Sequence, residues 1–215
     1  MPYGYLGTAA DQTVRNSGIL SINDAAELSA VGKLGGSLEL IDEQTADGTS
    51  TSLNFTNLKE NKYDVHLLQV HSMFTSSANK LIRIRFSNNG GSSFIASGYK
   101  YCFQIMQSNG SFSEQRSSSN TFINVHTNVG TVLVESANFY VYLYNLGKSS
   151  EYSYVSHQST NMDNTGTISG NTFGGGVLPT GEIHNAFQLI EPNLLGNLTG
   201  SAKLYGVKQW VHWDL

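Results

Sequence analysis

The sequence predicts an all-β protein: a jelly-roll-like antiparallel β-sandwich of about eight to ten strands, preceded by an N-terminal arm with one short helix. Three observations lead there. From Ser37 onward apolar side chains alternate with polar ones, as in Leu81-Ile-Arg-Ile-Arg-Phe86, where Ile82, Ile84 and Phe86 face away from Arg83 and Arg85. The composition suits strands and tight turns: 27 Ser, 16 Thr, 20 Asn and 22 Gly stand beside 10 Phe and 11 Tyr, with only 3 Pro. Charged residues make up 13% of the 215, against about a quarter in an ordinary soluble domain, which excludes a helix bundle rich in Ala, Glu, Lys and Leu.

Residues 1–36 differ from the rest. Met1 to Gly18 is polar and glycine-punctuated, with too little apolar content to fold by itself. Ser21 to Val31 then reads as a short amphipathic helix, with Ser21 as N-cap, Asp24 at the capping-box position and Gly32 ending the last turn. This division, an arm over 1–36 and a β-domain over 37–215, makes the arm an attachment element. Its apolar residues Tyr3, Tyr5, Leu6, Ile19, Leu20, Ile22 and Leu28 are the candidate contacts with a partner or a sister subunit.

Along the β-domain, strands are expected over 37–41, 51–56, 63–70, 81–86, 98–106, 121–126, 138–145, 151–157, 183–190 and 198–207. Asp47-Gly48, Asn89-Gly90 and Asn109-Gly110 read as hairpin turns, since glycine supplies the positive φ a tight turn needs. Ser87-Asn-Asn-Gly-Gly-Ser-Ser-Phe94 resembles the Asp-box of sialidase propellers, a turn-stabilising device, and occurs once. Phe173-Gly-Gly-Gly-Val177 reads as a break, or as a place where another backbone comes close. Tyr140, Tyr142 and Tyr144 alternate with Phe139, Val141 and Leu143, which predicts a central strand buried on both sides; the alternative is an exposed aromatic strip. Trp210 and Trp213, in the last six residues, are expected to dock on the domain or on another subunit.

Chemistry is sparse. The six histidines are scattered and Cys102 is alone, read as a buried inert thiol, so neither a zinc site nor an internal disulfide is expected. Asp64 and His66 could share a strand face, a spacing that also occurs by accident. No nucleophile elbow, phosphate loop or His-Glu-x-x-His occurs. A net charge of −4 gives no general reason to bind nucleic acid, and no run is long enough for a membrane helix. Met1 to Ala10 lacks the pattern of a secretory signal. No catalytic residue, metal or cofactor is expected.

Several segments, in order along most of the chain, resemble small virion structural proteins of marine tailed bacteriophages, cyanophages among them. They are Met1-Pro-Tyr-Gly-Tyr-Leu-Gly7, Asn16-Ser-Gly-Ile-Leu-Ser-Ile22, Gly35-Gly-Ser-Leu-Glu-Leu-Ile41, Tyr63-Asp-Val-His66, Arg85 to Phe94, Ser97-Gly-Tyr-Lys-Tyr101, Tyr142-Leu-Tyr-Asn-Leu-Gly147 and Leu204-Tyr-Gly-Val-Lys208. The resemblance implies a virion location after synthesis in the host bacterial cytoplasm, and a non-enzymatic capsid decoration or fibre module. Other virion proteins would be its partners through the arm. Independently of the resemblance, a symmetric oligomer is expected, a homotrimer first, because closed assembly buries strand edges and gives the apolar termini a partner. The second reading is a host-adhesion protein that stacks Tyr152 and Tyr154 on surface glycan. The third is a glycan depolymerase, for which Glu135, Glu151 and Glu182 are the available carboxylates.

Overall fold

The computed structural model describes residues 37–191 and 196–208, and these form an antiparallel sandwich of two sheets. In chain order the strands are β1 (Leu38–Asp47), β2 (Ser52–Phe55), β3 (Val65–Thr75), β4 (Lys80–Ser87), β5 (Tyr99–Gln107) and β6 (Phe112–Asn120). They continue as β7 (Ile123–Val129), β8 (Ala137–Tyr144), β9 (Ser153–Met162), β10 (Ser169–Leu178), β11 (Ala186–Ile190) and β12 (Leu198–Val207). The arm residues Tyr3, Tyr5, Leu6, Ile19, Leu20, Ile22 and Leu28, the expected helix, and Trp210 and Trp213 lie outside the described residues.

The large sheet has the order β1-β12-β3-β8-β9-β10-β5-β6, and the small one β2-β11-β4-β7. Setting aside the hairpins β5–β6 and β9–β10 leaves β1-β12-β3-β8 facing β2-β11-β4-β7. First and last strands are neighbours, and the chain changes sheet at β1–β2, β2–β3, β3–β4, β4–β5, β6–β7, β7–β8, β10–β11 and β11–β12. That is a jelly roll. The two hairpins are inserted at different points of the chain yet meet through β10–β5 pairing, which doubles the width of one sheet.

The core follows the alternation. Leu68, Val70, Phe139, Val141, Leu143, Val155, Ala202 and Leu204 point inward from the large sheet, against Phe55, Ile82, Ile84, Phe86, Ile123, Val125, Phe187 and Leu189 from the small one. Phe55 and Phe187 stack with ring centroids 4.8 Å apart. Burying each such side chain stabilises the fold by roughly 1.5–3 kcal/mol. Strand β7 packs across β8, β9, β10 and β5, so the inserted hairpins have a covered inner face.

Two strands were not expected. β6 reads Phe-Ser-Glu-Gln-Arg-Ser-Ser-Ser-Asn and lacks an apolar face because it is the sheet edge, exposed or half-buried throughout. β10 contains Gly174-Gly-Gly176, which is no break: a Cβ on Gly174 would stand 2.3 Å from Phe103 Cβ, and one on Gly176 2.8 Å from Ile123 Cγ2. Here the other expectation holds, since neighbouring strands come too close for any side chain.

Of the three glycine turns, only Asn109-Gly110 closes a hairpin, joining β5 to β6 with Gly110 at φ +84°. Asp47-Gly48 and the Asp-box-like segment instead carry the chain from one sheet to the other. In the latter, Asn89 Oδ1 accepts from the Ser93 amide at 3.0 Å and Ser87 Oγ accepts from the Gly91 amide at 3.0 Å. The β9–β10 hairpin turns at Asp163, whose Oδ1 accepts from the amides of Thr167 (2.8 Å) and Ile168 (3.1 Å). These bonds, with that to Thr165, hold the Asp163 carboxyl at a pKa of about 2.

Candidate functional site

The outer face of the large sheet carries the exposed aromatic residues. Tyr140, Tyr142 and Tyr144 do not lie in a doubly buried strand; they line the outward side of β8, where no second layer of the described residues covers them. Tyr140 and Tyr142 meet edge to face at 5.9 Å, and Tyr142 stacks on Tyr144 at 6.2 Å. The Tyr140 hydroxyl donates to Gln158 Oε1 at 2.7 Å, and the Tyr144 hydroxyl lies 3.1 Å from Ser156 Oγ. These bonds fix the rings upright as a ladder.

Cross-strand register extends the ladder. Tyr144 pairs with Tyr154 on β9, Gln158 with Phe173 on β10, and Ser156 with Gly175. Tyr154 and Phe173 are 44% and 45% exposed, which makes them open platforms rather than core residues. Tyr152 is exposed in the turn before β9, where its carbonyl accepts from Asn145 Nδ2 at 3.4 Å. Both sequence-predicted glycan residues are thus accessible, and Tyr154 joins a larger aromatic surface.

Beyond Tyr154 the face dips into a groove of about 860 Å³. Gly175, which has no side chain, forms its floor. Tyr154 stands on one side, and Lys100, Cys102, Arg116, Ser117 and Ser118 stand on the other. Cys102 is therefore exposed, not buried as expected, because it falls on the outward parity of β5 opposite Gly175 and Arg116. Lys100 has no ion-pair partner among the described residues, and Arg116 pairs with Glu114 at 3.0 Å in solvent. Sequence reasoning missed Lys100, Arg116, Phe173 and Gly175, since only the pairing of two distant hairpins brings them to Tyr154.

A second constellation lies inside the sandwich. His126 Nδ1 is 2.7 Å from Ser159 Oγ, and Ser159 Oγ also contacts Thr172 Oγ1. A Ser–His contact suggests an activated nucleophile, yet both residues are buried, His126 at 0% and Ser159 at 2% exposure, and the groove that Ser159 borders beside Phe139 and Tyr140 does not include His126. Burial depresses the imidazoles, His126 to about 3, helped by the nearby His157, and His157 to about 4. Both are neutral core groups.

The remaining candidates do not converge. His66 is buried with Nε2 2.7 Å from the Leu58 carbonyl oxygen, whereas Asp64 is a half-buried partner of Lys148 at 2.8 Å. Glu135 Oε2 accepts from the Thr131 amide, and Glu182 accepts from Asn88 Nδ2 while its other oxygen lies 3.3 Å from His184 Nε2. Glu151 is exposed in the β8–β9 turn. Among the described residues no three or more His, Cys, Asp and Glu gather as a metal site, and no helix is long and apolar enough to cross a membrane.

No family model matches the chain, and no curated protein matches it.

Proposed function

We propose that this chain is a non-enzymatic structural protein of a tailed bacteriophage, displayed on the particle exterior as a decoration or fibre module and joined to other virion proteins through residues 1–36. The sequence segments that resemble marine phage virion proteins support the reading. So does the architecture, since jelly rolls serve widely as capsid and lectin modules, an argument by fold analogy. The observation that carries it is the distribution of chemistry over the described residues. His66, His126, His157 and His184 are sealed in the core and the carboxylates Glu135, Glu151 and Glu182 are separately engaged or exposed, while the broad outer face of the large sheet offers rings, amides and hydroxyls for contact.

Antibody labelling of purified particles under negative stain is the direct test. Label on the capsid surface or on an appendage is expected; a chain absent from particles overturns the proposal. Deleting 1–36 should leave a folded β-domain that no longer joins particles. The free protein should sediment as a trimer at micromolar concentration, because closed assembly would bury the open strand edges β1 and β6 of the large sheet. A second function, host adhesion through surface glycan, is favoured by the exposure of Tyr152 and Tyr154.

A further inference from the structure

We infer that the glycine-floored groove between Tyr154 and Arg116 binds an acidic polysaccharide, one whose sugar rings carry carboxylate or sulfate groups. The inference rests on the adhesive reading of the outer face and names both its ligand class and its place.

The shape comes first. From β9 to β6 the groove crosses three inter-strand steps, about 14 Å, wide enough for a short run of sugar residues lying across the strands. Of the outward residues on β10, Val177 stands in register between Tyr154 and Lys100, while Gly175, facing Ser156 on one side and Cys102 on the other, leaves the floor beside it bare. A Cβ there would stand 2.4 Å from the Val155 carbonyl oxygen, so the floor is fixed by the backbone of the sheet.

The chemistry follows from the walls. Tyr154 presents a half-exposed ring edge and face, the surface on which the C–H side of a pyranose stacks. Ser118, exposed on β6, adds a polar residue to the opposite wall. The charged side chains that line the groove are Lys100 and Arg116, both cationic, in a chain whose net charge is −4. Lys100 has no ion-pair partner among the described residues, and the Arg116–Glu114 pair is exposed and weakened by solvent, so both cations are open to an external anion. A neutral glycan would use the ring and Ser118 but leave these charges unanswered; charge complementarity selects the acidic one. Two cations are too few for capture of a nucleic-acid backbone against a net negative chain, which lacks the basic stripe such binding requires.

Cys102, which lines the groove beside Gly175 and is the single cysteine of the chain, makes the site testable in place. The full chain is titrated with alginate oligosaccharides, with neutral dextran oligosaccharides and with a single-stranded DNA oligonucleotide, while alkylation of Cys102 by iodoacetamide is followed by mass. Alginate should bind, slow alkylation at least several-fold, and lose affinity as salt is raised. Tyr154→Ala and Lys100→Gln should each weaken alginate binding about tenfold, with melting temperatures and far-ultraviolet spectra of both variants unchanged. Gln104→Ala, outside the groove lining, should bind as the parent does. Equal binding of dextran overturns the acidic class; equal binding of DNA overturns the sugar; binding that leaves Cys102 alkylation unchanged overturns the site; no binding overturns the inference entirely. A chain that labels the particle exterior yet ignores alginate would keep its structural role and lose this one.

Discussion

His126 Nδ1 lies 2.7 Å from Ser159 Oγ across the two sheets, and the imidazole lies parallel to the Phe139 ring within 3°, centroids 5.9 Å apart. The contact joins β7 of the small sheet to β9 of the large one, so an inserted hairpin is tied to the jelly-roll core by a polar bond as well as by burial. Four of the six histidines, His66, His126, His157 and His184, are buried, and burial lowers the pKa of all four.

Acid should therefore destabilise this protein early. The ordinary value is 6.5, while folded His126 and His157 titrate at about 3 and about 4. Between those limits the unfolded chain holds more protons than the folded one, so stability is complete above about pH 6.5 and falls as the pH drops. Each of these two histidines removes roughly 1 kcal/mol per pH unit in that window. Urea midpoints measured at pH 7.5, 6 and 5 should decline steadily; an unchanged midpoint at pH 5 would contradict the buried, neutral assignment.

Ser159→Ala should cost about 1–3 kcal/mol, since it strands both His126 Nδ1 and the Thr172 hydroxyl in the core. His126→Leu combined with Ser159→Ala should cost less than the two single changes added together. A double-mutant cycle by chemical denaturation reads this coupling.

Gly174→Ala and Gly110→Ala separate two reasons for glycine. At Gly174 the new methyl would meet Phe103 Cβ and the Cys102 carbonyl oxygen at 2.3 and 2.4 Å, so a loss of about 2 kcal/mol or more is expected. At Gly110 nothing lies within 4 Å, but φ is +84°, and the cost should stay near 1 kcal/mol. Thermal melts rank the two directly.

Chelator treatment should leave the melting temperature unchanged, and alanine at Glu135, Glu151 or Glu182 should leave particle infectivity near normal. Hydrolysis of host polysaccharide by the purified chain, lost on changing one of those carboxylates, would replace the structural proposal with an enzymatic one.

The jelly-roll half of the fold was legible because its strands bury one face. Ile82, Ile84 and Phe86 announce β4, and Val65 to Val70 announces the start of β3. The inserted half was only partly legible. β6 has no buried face to impose alternation, and the triple glycine of β10 answers to crowding by neighbours, which a local pattern does not encode. Tyr140, Tyr142 and Tyr144 were placed on a common face correctly, but which side solvent occupies depends on whether another layer exists there. Tyr154 was found from its own sequence context, whereas Lys100 and Arg116 reach it only through pairing of β9, β10, β5 and β6.

The position of β12 has a consequence for synthesis. It lies between β1 and β3, and its amide hydrogen bonds link the start of the domain to its end, as in the bonds from the Gly48 amide to the Leu198 carbonyl and from the Leu198 amide to the Ser50 carbonyl. On the ribosome β1 emerges first and β12 last, so β1 has no native neighbour in its sheet until nearly the whole domain has been translated. Its exposed edge must meanwhile be kept from pairing with other nascent chains. The charges of β1, Glu39, Asp42, Glu43 and Asp47, four acids in a ten-residue strand, provide that protection by mutual repulsion between copies. The β1–β12 seam can therefore form only after the end of the domain has been translated.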